Sequence, residues 1–374
     1  MLRSGAQRPP KQTDDRSQKS VRNVDDQFPR SVDESPISSR TSGQDGTRSV
    51  TRTRSSVEFS VSSQPLQVNR DGCASDLNLR RTASSAGGAV SQKISLHDEL
   101  KSMVQALQYG NETEQAAASK NLRSISKTSK NARLQLVQIG GLPVLADCLA
   151  YLDPSTSLVA DAVTICFNLA MEADLARPIA LAGILGTLLR ILQTKCEAQL
   201  NAVGAISNLC INVTNRLEIC DLGMIPILVT LARDGTRITV QKDAVVALFN
   251  MAIDSRYRNE IVALEIVAPL LDSLDSSDPD PYPIEVEITL LLSSLLKVSA
   301  GVEEVLENGG LAVLSLLLLG GAKVQGHATA CLLLVAMHGE AALKAVKEEG
   351  VVTSLVQIIE RGNSRGKEKV WHLA

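Results

Sequence analysis

Three asparagines occupy the same position of one short motif, and their type and spacing give the first indication of a site. Asn168, Asn208 and Asn250 each end the pattern Ala-Val-x-x-x-x-Asn, and each is followed by Leu or Met and then by Ala or Cys. They stand 40 and 42 residues apart. A carboxamide side chain donates and accepts hydrogen bonds at once, so each asparagine can satisfy polar backbone groups that have no other partner.

Residue types that would support catalysis or metal binding do not cluster in the sequence. The 7 cysteines and 4 histidines include no Cys-x-x-Cys pair and no histidine at zinc-ligand spacing from two cysteines. The phosphate-binding motif Gly-x-x-x-x-Gly-Lys and the zinc-protease motif His-Glu-x-x-His do not occur either. Small buried cysteines in a reducing compartment are the simpler interpretation. We therefore predict a protein that is not an enzyme and holds no metal or cofactor.

A second repeated signal shows which elements must position the asparagines. A glycine precedes a leucine by five residues again and again, and Glu265 replaces the glycine once; the six starting positions are 140, 183, 223, 265, 309 and 350. A repeat of about 42 residues is typical of stacked helical units that share a continuous core. Glycine permits the sharp turn between a short helix and the next one. We predict that the leucines of this register are buried: Leu145, Leu188, Leu228, Leu270, Leu314 and Leu355.

Residues 95–374 are predicted to be all-α, because apolar residues recur there at helical spacing and no stretch alternates like a strand. Ser95 with Asp98 and Glu99 is typical of a helix start. We place seven units; the first covers about 95–127 and lacks its short helix, and the others begin near 131, 173, 213, 255, 301 and 340. The sequence stops inside the expected long helix of the last unit, which predicts an incomplete repeat there.

Residues 1–94 differ in composition from the remainder. Through Ser95 the chain has 25 Ser or Thr, 15 basic and 10 acidic residues, and no sustained apolar period. Such a segment cannot bury enough surface to offset the entropy of ordering, so we predict that it is disordered. Short phosphorylation patterns occur at Thr82 and Ser84, after two arginines, and at Ser35, before a proline.

Composition also narrows the classes of partner. The part after Ser95 has 23 basic and 31 acidic residues, and aromatic residues make up only 2% of the chain, which argues against nucleic-acid binding. No apolar run approaches the ~18–20 residues that cross a bilayer, and the first residues lack a signal-peptide pattern. We predict a monomer that does not insert into membranes. The expected location is the cytoplasm, with the nucleus as a second location.

The 42-residue pattern resembles the armadillo repeat over 95–374. More narrowly, Glu114–Ser126 (Glu-Gln-Ala-Ala-Ala-Ser-Lys-Asn-Leu-Arg-Ser-Ile-Ser) followed by Asn131-Ala-Arg-Leu resembles the opening repeat of plant U-box ubiquitin ligases. The Cys-Pro-Ile and Asp-Pro-Val strings of a U-box do not occur, so ligase activity does not carry over. The resemblance implies a right-handed α-solenoid of about seven armadillo repeats.

The resemblance also implies a binding site. In armadillo stacks the long third helices line a concave groove, and Asn168, Asn208 and Asn250 would hold the backbone of an extended peptide there. We therefore expect Asn208 to lie on an exposed helix row. The alternative is that each asparagine bonds a neighbouring helix within the stack. Seven residues before each asparagine stand Asp161, Asn201 and Asp243, a mostly acidic column.

A basic stripe stands at the start of this expected groove. Lys120, Arg123, Lys127 and Lys130 are spaced i, i+3, i+7 and i+10, which we place on the first long helix. The stripe favours an acidic or phosphorylated partner, and a solvated helix face is the alternative.

Three functions are consistent with these observations. The leading interpretation is a non-catalytic scaffold that binds partner proteins in the groove. The second is a substrate-recruiting component of a ubiquitin ligase pathway. The third is an importin-α-like transport adaptor. Such adaptors carry Trp four residues before the asparagine position, and the absence of Trp from that row argues against this function. The row consists of Lys120, Thr164, Gly204, Val246 and Leu290.

Overall fold

The computed structural model describes residues 64–68, 95–275, 284–351 and 353–354. All of these residues belong to one compact unit, Glu58–Ala374. Within them the regular structure is helical throughout, with eighteen α-helices and one short 3-10 helix. Leu355, the chain end and the phosphorylation patterns lie outside the described residues.

The third helix is the longest one in each of units two to six, and unit one has only two helices because it lacks the short first one. Unit one contains α1 (Leu96–Tyr109) and α2 (Glu112–Thr128). Unit two contains α3 (Lys130–Gln138), α4 (Gly141–Tyr151) and α5 (Ser157–Ala170). Unit three contains the 3-10 helix (Ala173–Leu175), α6 (Ala176–Leu181), α7 (Ile184–Leu192) and α8 (Gln199–Leu209). Unit four contains α9 (Val213–Asp221), α10 (Met224–Asp234) and α11 (Ile238–Ala252).

Units five and six also end with their longest helix. Unit five contains α12 (Ser255–Val262), α13 (Val267–Asp275) and α14 (Glu285–Leu295). Unit six contains α15 (Ser299–Glu307), α16 (Gly310–Leu317) and α17 (Ala322–Met337). Unit seven opens with α18 (Glu340–Glu348). The α-solenoid predicted from the sequence repeats is confirmed.

Side-chain caps start several of these helices at the expected places. The Ser95 hydroxyl accepts a hydrogen bond from the Asp98 backbone N–H, as the sequence predicted. Asn111 and Glu114 form a reciprocal capping box at the start of α2. Each cap satisfies a backbone donor that has no partner inside the helix, so these residues fix where the helices begin.

The turn between the first and second helix of a unit requires a left-handed residue. The repeated glycines have φ between 67° and 83°, and Glu265, which replaces the glycine in unit five, has φ 55°. Glu265 is the only non-glycine residue with positive φ in the described part of the chain. The left-handed region costs a residue with a Cβ about 1–2 kcal/mol, so the packing around unit five holds Glu265 in an unfavourable conformation.

The third helices form the centre of the stack. The helices α2, α5, α8, α11, α14 and α17 contact one another in succession. Small residues at one register, Ala162, Ala202 and Ala244, are fully buried and let neighbouring helices approach closely. The leucines predicted to be buried are confirmed wherever they are described: Leu145, Leu188, Leu228, Leu270 and Leu314 are at most 2% exposed. The core is therefore built mainly from aliphatic side chains.

No single helix in the described ranges combines the length and apolarity that crossing a membrane requires. Two pairs of consecutive helices meet the length and composition criteria jointly, but they bend by 83° and 90° at their breaks: Lys130–Gln138 with Gly141–Tyr151, and Ala173–Leu181 with Ile184–Leu192.

Candidate peptide-binding face

The row formed by α2, α5, α8, α11, α14 and α17, called here the third-helix face, carries the asparagine column. A short stretch of the amino-terminal segment lies against it. Residues 64–68, Gln-Pro-Leu-Gln-Val, adopt no helix, and their backbone meets α8 and α11 at Asn208 and Asn250. This contact joins residues that are 140 and 184 positions apart in the sequence.

Each of the two asparagines exchanges a pair of hydrogen bonds with one backbone residue. The Leu66 N–H donates to Asn250 Oδ1 at 2.8 Å, and Asn250 Nδ2 donates to the Leu66 carbonyl at 2.7 Å. The Val68 N–H donates to Asn208 Oδ1 at 2.8 Å, and Asn208 Nδ2 donates to the Val68 carbonyl at 3.2 Å. A carboxamide thus replaces the neighbouring strand that an extended chain would otherwise need.

The side chains of the segment alternate in exposure, as an extended backbone requires. Val68 is 7% exposed and joins the hydrophobic core, and Leu66 is half-buried against it. Gln67, between them, is exposed, and its side-chain amide donates to the Met171 carbonyl at the end of α5. The two apolar side chains therefore anchor the segment.

The segment runs opposite to the order of the units. Leu66 meets unit four and Val68 meets unit three, so the chain direction points towards unit two. Two residues of extended chain cover about 7 Å, somewhat less than the 8–10 Å between packed helix axes. Two asparagine side chains on adjacent helices are thus close enough in spacing to hold alternate residues of one extended backbone.

Asn250 has a second partner inside the stack. Its Nδ2 donates to the Ser207 carbonyl of α8 at 3.0 Å as well as to Leu66. This bond orients the amide so that Oδ1 faces the segment. Asn250 therefore combines the two roles that the sequence left as alternatives.

Asn168 bonds a neighbouring helix within the stack. Its Nδ2 donates to the Arg123 carbonyl at 3.3 Å and to Ser126 Oγ at 3.0 Å, both on α2. These two bonds use both amide hydrogens on the preceding unit. In the asparagine column, Asn168 therefore donates to the stack, Asn208 holds the segment, and Asn250 does both.

The expectation that Asn208 lies on an exposed row is wrong. Asn208 is 1% exposed, and the backbone of Val68 lies on its amide. Sequence periodicity placed it on the correct helix face, but the segment that covers this face comes from far away in the chain.

The column that stands seven residues before the asparagines connects neighbouring units. Asp161 accepts a hydrogen bond from Ser119 at 3.0 Å and pairs with Arg123 at 2.7 Å. Asn201 donates to Thr164 Oγ1 at 2.7 Å. Asp243, the third member, is 5% exposed. The contacts of Asp161 and Asn201 reach back to the preceding unit, which supports a stacking role for these two side chains.

The basic stripe is divided between two helices. Lys120, Arg123 and Lys127 lie on α2, but Lys130 begins α3, because Ser129 ends α2 and caps α3 through Ala132 N–H. The prediction that all four share the first long helix is therefore wrong.

Half of the stripe's charge is already engaged. Arg123 pairs with Asp161 at 2.7 Å, and Lys130 pairs with Glu172 at 3.2 Å. Lys120 and Lys127 are exposed. The positive charge that is left for an acidic partner is smaller than the sequence indicates.

A more buried ion pair joins the first helix of unit two to the turn that precedes unit three. Arg133 Nε and Nη2 donate to Glu172 Oε1 at 2.9 and 2.6 Å, and Arg133 Nη1 donates to the Ser126 carbonyl at 2.8 Å. Burial alone would raise the pKa of Glu172, but hydrogen bonds and charges from Arg133 and Lys130 bring that pKa below its usual value. Glu172 is therefore held ionised between two cations.

The cysteines in the described ranges are free thiols. Burial raises the pKa of Cys166 and of Cys210 to about 12, which makes these thiols poor nucleophiles at neutral pH. The described residues contain no cluster of three or more metal-ligating side chains.

Comparisons with known proteins agree with this architecture. Residues 212–253, which span unit four, match the family model of the armadillo/beta-catenin-like repeat. U-box domain-containing protein 45 of Arabidopsis thaliana is 27% identical, over 67% of this chain and 33% of its own length. The chain thus spans about a third of that relative's length.

Two solved structures share the fold. The crystal structure of one engineered protein aligns with a TM-score of 0.67 and 25% identity, over 74% of this chain and 67% of its own. A second engineered protein aligns with a TM-score of 0.58 and 26% identity, over 64% of this chain and 98% of its own. With its repeated left-handed turns and successive third helices, the chain has the fold of an armadillo-repeat solenoid, and unit four matches the armadillo repeat itself.

Proposed function

We propose that the protein is a non-catalytic scaffold that binds extended segments of partner proteins along its third-helix face. The observation that carries this proposal is the pair of carboxamides, Asn208 and Asn250, each exchanging both a donor and an acceptor bond with an extended backbone. Backbone recognition of this kind provides affinity with little dependence on sequence, and pockets for alternate side chains add specificity.

A place in ubiquitination is the second candidate. Similarity to a U-box protein supports it, since that protein's name includes the domain. In this role the third-helix face would recruit the substrate, and a separate protein would transfer ubiquitin. A reconstituted reaction with E1, E2 and ubiquitin tests for intrinsic ligase activity: we expect no conjugates from this chain alone.

Because residues 64–68 cover both asparagines, the test of peptide binding needs a full-length variant in which the anchors are lost. In the double variant Leu66→Asp/Val68→Asp, called here the uncovered chain, charged side chains would have to enter an apolar site. Random-peptide phage display on the uncovered chain should enrich peptides that bind the exposed face.

Calorimetry on the enriched peptides then locates the site. Adding Asn208→Ala should weaken their binding about tenfold or more, since two backbone hydrogen bonds are lost. Asn208 is the better choice because Asn250 also supports α8. Glu303→Lys, on an exposed position of α15, is the matched control and should leave the affinity unchanged. Equal affinity for the uncovered chain with and without Asn208→Ala would contradict the proposal.

A further inference from the structure

Residues 64–68 are themselves a ligand of the third-helix face. Their side chains and backbone contacts indicate which other segments can bind there. The four asparagine bonds engage backbone atoms only, so they accept any residue type in extended conformation except proline, which lacks the N–H donor. Selectivity must then come from the side chains. Val68 is buried and Leu66 is half-buried, two positions apart, whereas Gln67 is exposed. The face therefore selects apolar side chains at alternate positions.

The segment is also suited to the site by its local sequence. Pro65 fixes its own φ near −65°, which favours extended backbone and lowers the entropy lost on binding. From Phe59 to Asn69 the sequence contains no charged residue. An uncharged ligand is consistent with the ion pairs between successive third helices, in which Arg123 and Lys242 are already matched by carboxylates.

The length of chain between segment and repeats permits this contact within one molecule. The sequence places 26 residues, 69–94, between Val68 and Ser95. A tether of that length spans at most about 90 Å when fully extended, far more than a few repeats require. A ligand on a short tether faces its site at an effective concentration on the order of millimolar. A free peptide of equal intrinsic affinity therefore competes poorly until its own concentration is comparable.

We propose that residues 64–68 are an intramolecular competitor for the third-helix face, and that the partner which displaces them presents an uncharged extended segment with apolar side chains two positions apart. This inference rests on the proposed function. It adds the chemical class of the ligand and a condition for binding: the partner must outcompete the protein's own segment.

The test uses a fluorescein-labelled peptide with the sequence of residues 60–72, titrated by fluorescence polarisation. The wild-type chain and the uncovered chain are compared at full length. We expect the uncovered chain to bind the peptide at least about tenfold more tightly, because the tethered competitor is disabled. Adding Asn208→Ala to the uncovered chain should remove most of this binding.

Two control peptides test the ligand class. The same peptide carrying Leu66→Asp and Val68→Asp should bind the uncovered chain at least tenfold more weakly than the native sequence. A peptide carrying Gln64→Glu, which changes an exposed position outside the apolar pair, should keep its affinity within about twofold. Preference for the Gln64→Glu peptide, with loss of that preference in Lys120→Glu/Lys127→Glu, would instead indicate an acidic partner and overturn the ligand class.

Different experimental results would overturn this inference and the proposed function. Equal affinity of the wild-type and uncovered chains for the 60–72 peptide, or no binding to either, would overturn the inference, even if display peptides bind through Asn208. If the display peptides also bind without Asn208, the proposed function fails too. Circular dichroism of each variant establishes that the repeats remain folded.

Discussion

Replacing Glu172 with alanine should lower the free energy of unfolding by about 3–5 kcal/mol. The change leaves the Arg133 guanidinium, whose side chain is 10% exposed, buried without its carboxylate. Removing one partner of a buried ion pair is costly for this reason. Urea denaturation followed by far-UV circular dichroism measures the difference.

The matched control is Lys130→Ala. Lys130 contacts the same carboxylate at 3.2 Å, but its side chain is 68% exposed, so solvent screens the pair. We expect a loss below about 1 kcal/mol. Similar losses for Glu172→Ala and Lys130→Ala would show that burial of the Arg133 pair does not determine its strength.

The pH dependence of the same pair has a definite sign. Because the folded protein depresses the pKa of Glu172, the carboxylate stabilises the fold above its usual pKa of 4.5. This stabilisation decreases as the pH falls through the lower pKa of the folded state. The difference between wild type and Glu172→Ala should therefore be constant near neutral pH and become smaller below about pH 4.5.

Replacing Leu228 with alanine should cost about 2–5 kcal/mol. Leu228 lies in α10, is fully buried and belongs to the leucine register shared by successive units. Deleting its side chain leaves a cavity between helices that pack on both sides. Thermal and urea unfolding of the variant measure the loss.

Leu217→Ala is the control for Leu228→Ala. Leu217 lies on the neighbouring α9 and is 48% exposed, so its truncation should change stability by less than about 0.5 kcal/mol. A loss below about 0.5 kcal/mol for Leu228→Ala as well would mean that this register does not form the core.

The repeat architecture was predictable because its signals are local and recur. A glycine that must adopt positive φ, an alanine that must be small and a leucine that must be buried each stand at a fixed distance from the next copy. Even Glu265, which breaks the glycine pattern, adopts the same left-handed turn, because its neighbours in the stack impose it. Periodicity therefore identified the units and the face on which the asparagines lie.

The roles within that face depend on contacts that periodicity does not encode. Asn168 and Asn208 share one motif, yet Asn168 meets Ser126 of the preceding unit, whereas Asn208 meets Val68. The hydroxyl partner Ser126 is available to Asn168 because Ser126 lies on α2 of the first unit, next to α5. No local pattern distinguishes the two asparagines.

The segment at 64–68 was the largest omission of the sequence interpretation. Its surroundings are rich in Ser, Thr and Arg, and the composition of 1–94 as a whole predicted disorder. One signal was present: Pro65 followed by the alternation Leu66-Gln67-Val68 is typical of an extended segment. Its docking depends on two asparagines more than 130 residues away, which only the folded stack brings together.

The most direct test of the peptide-binding face is hydrogen exchange of the Leu66 and Val68 amides in the full-length wild-type protein, measured by NMR with selectively labelled leucine and valine. Both amides donate to asparagine oxygens, so we expect exchange at least about tenfold slower than in the free 60–72 peptide. In Asn208→Ala the Val68 amide should lose more protection than the Leu66 amide, whose acceptor is Asn250. Exchange of both amides at the free-peptide rate in the wild-type protein would contradict the account.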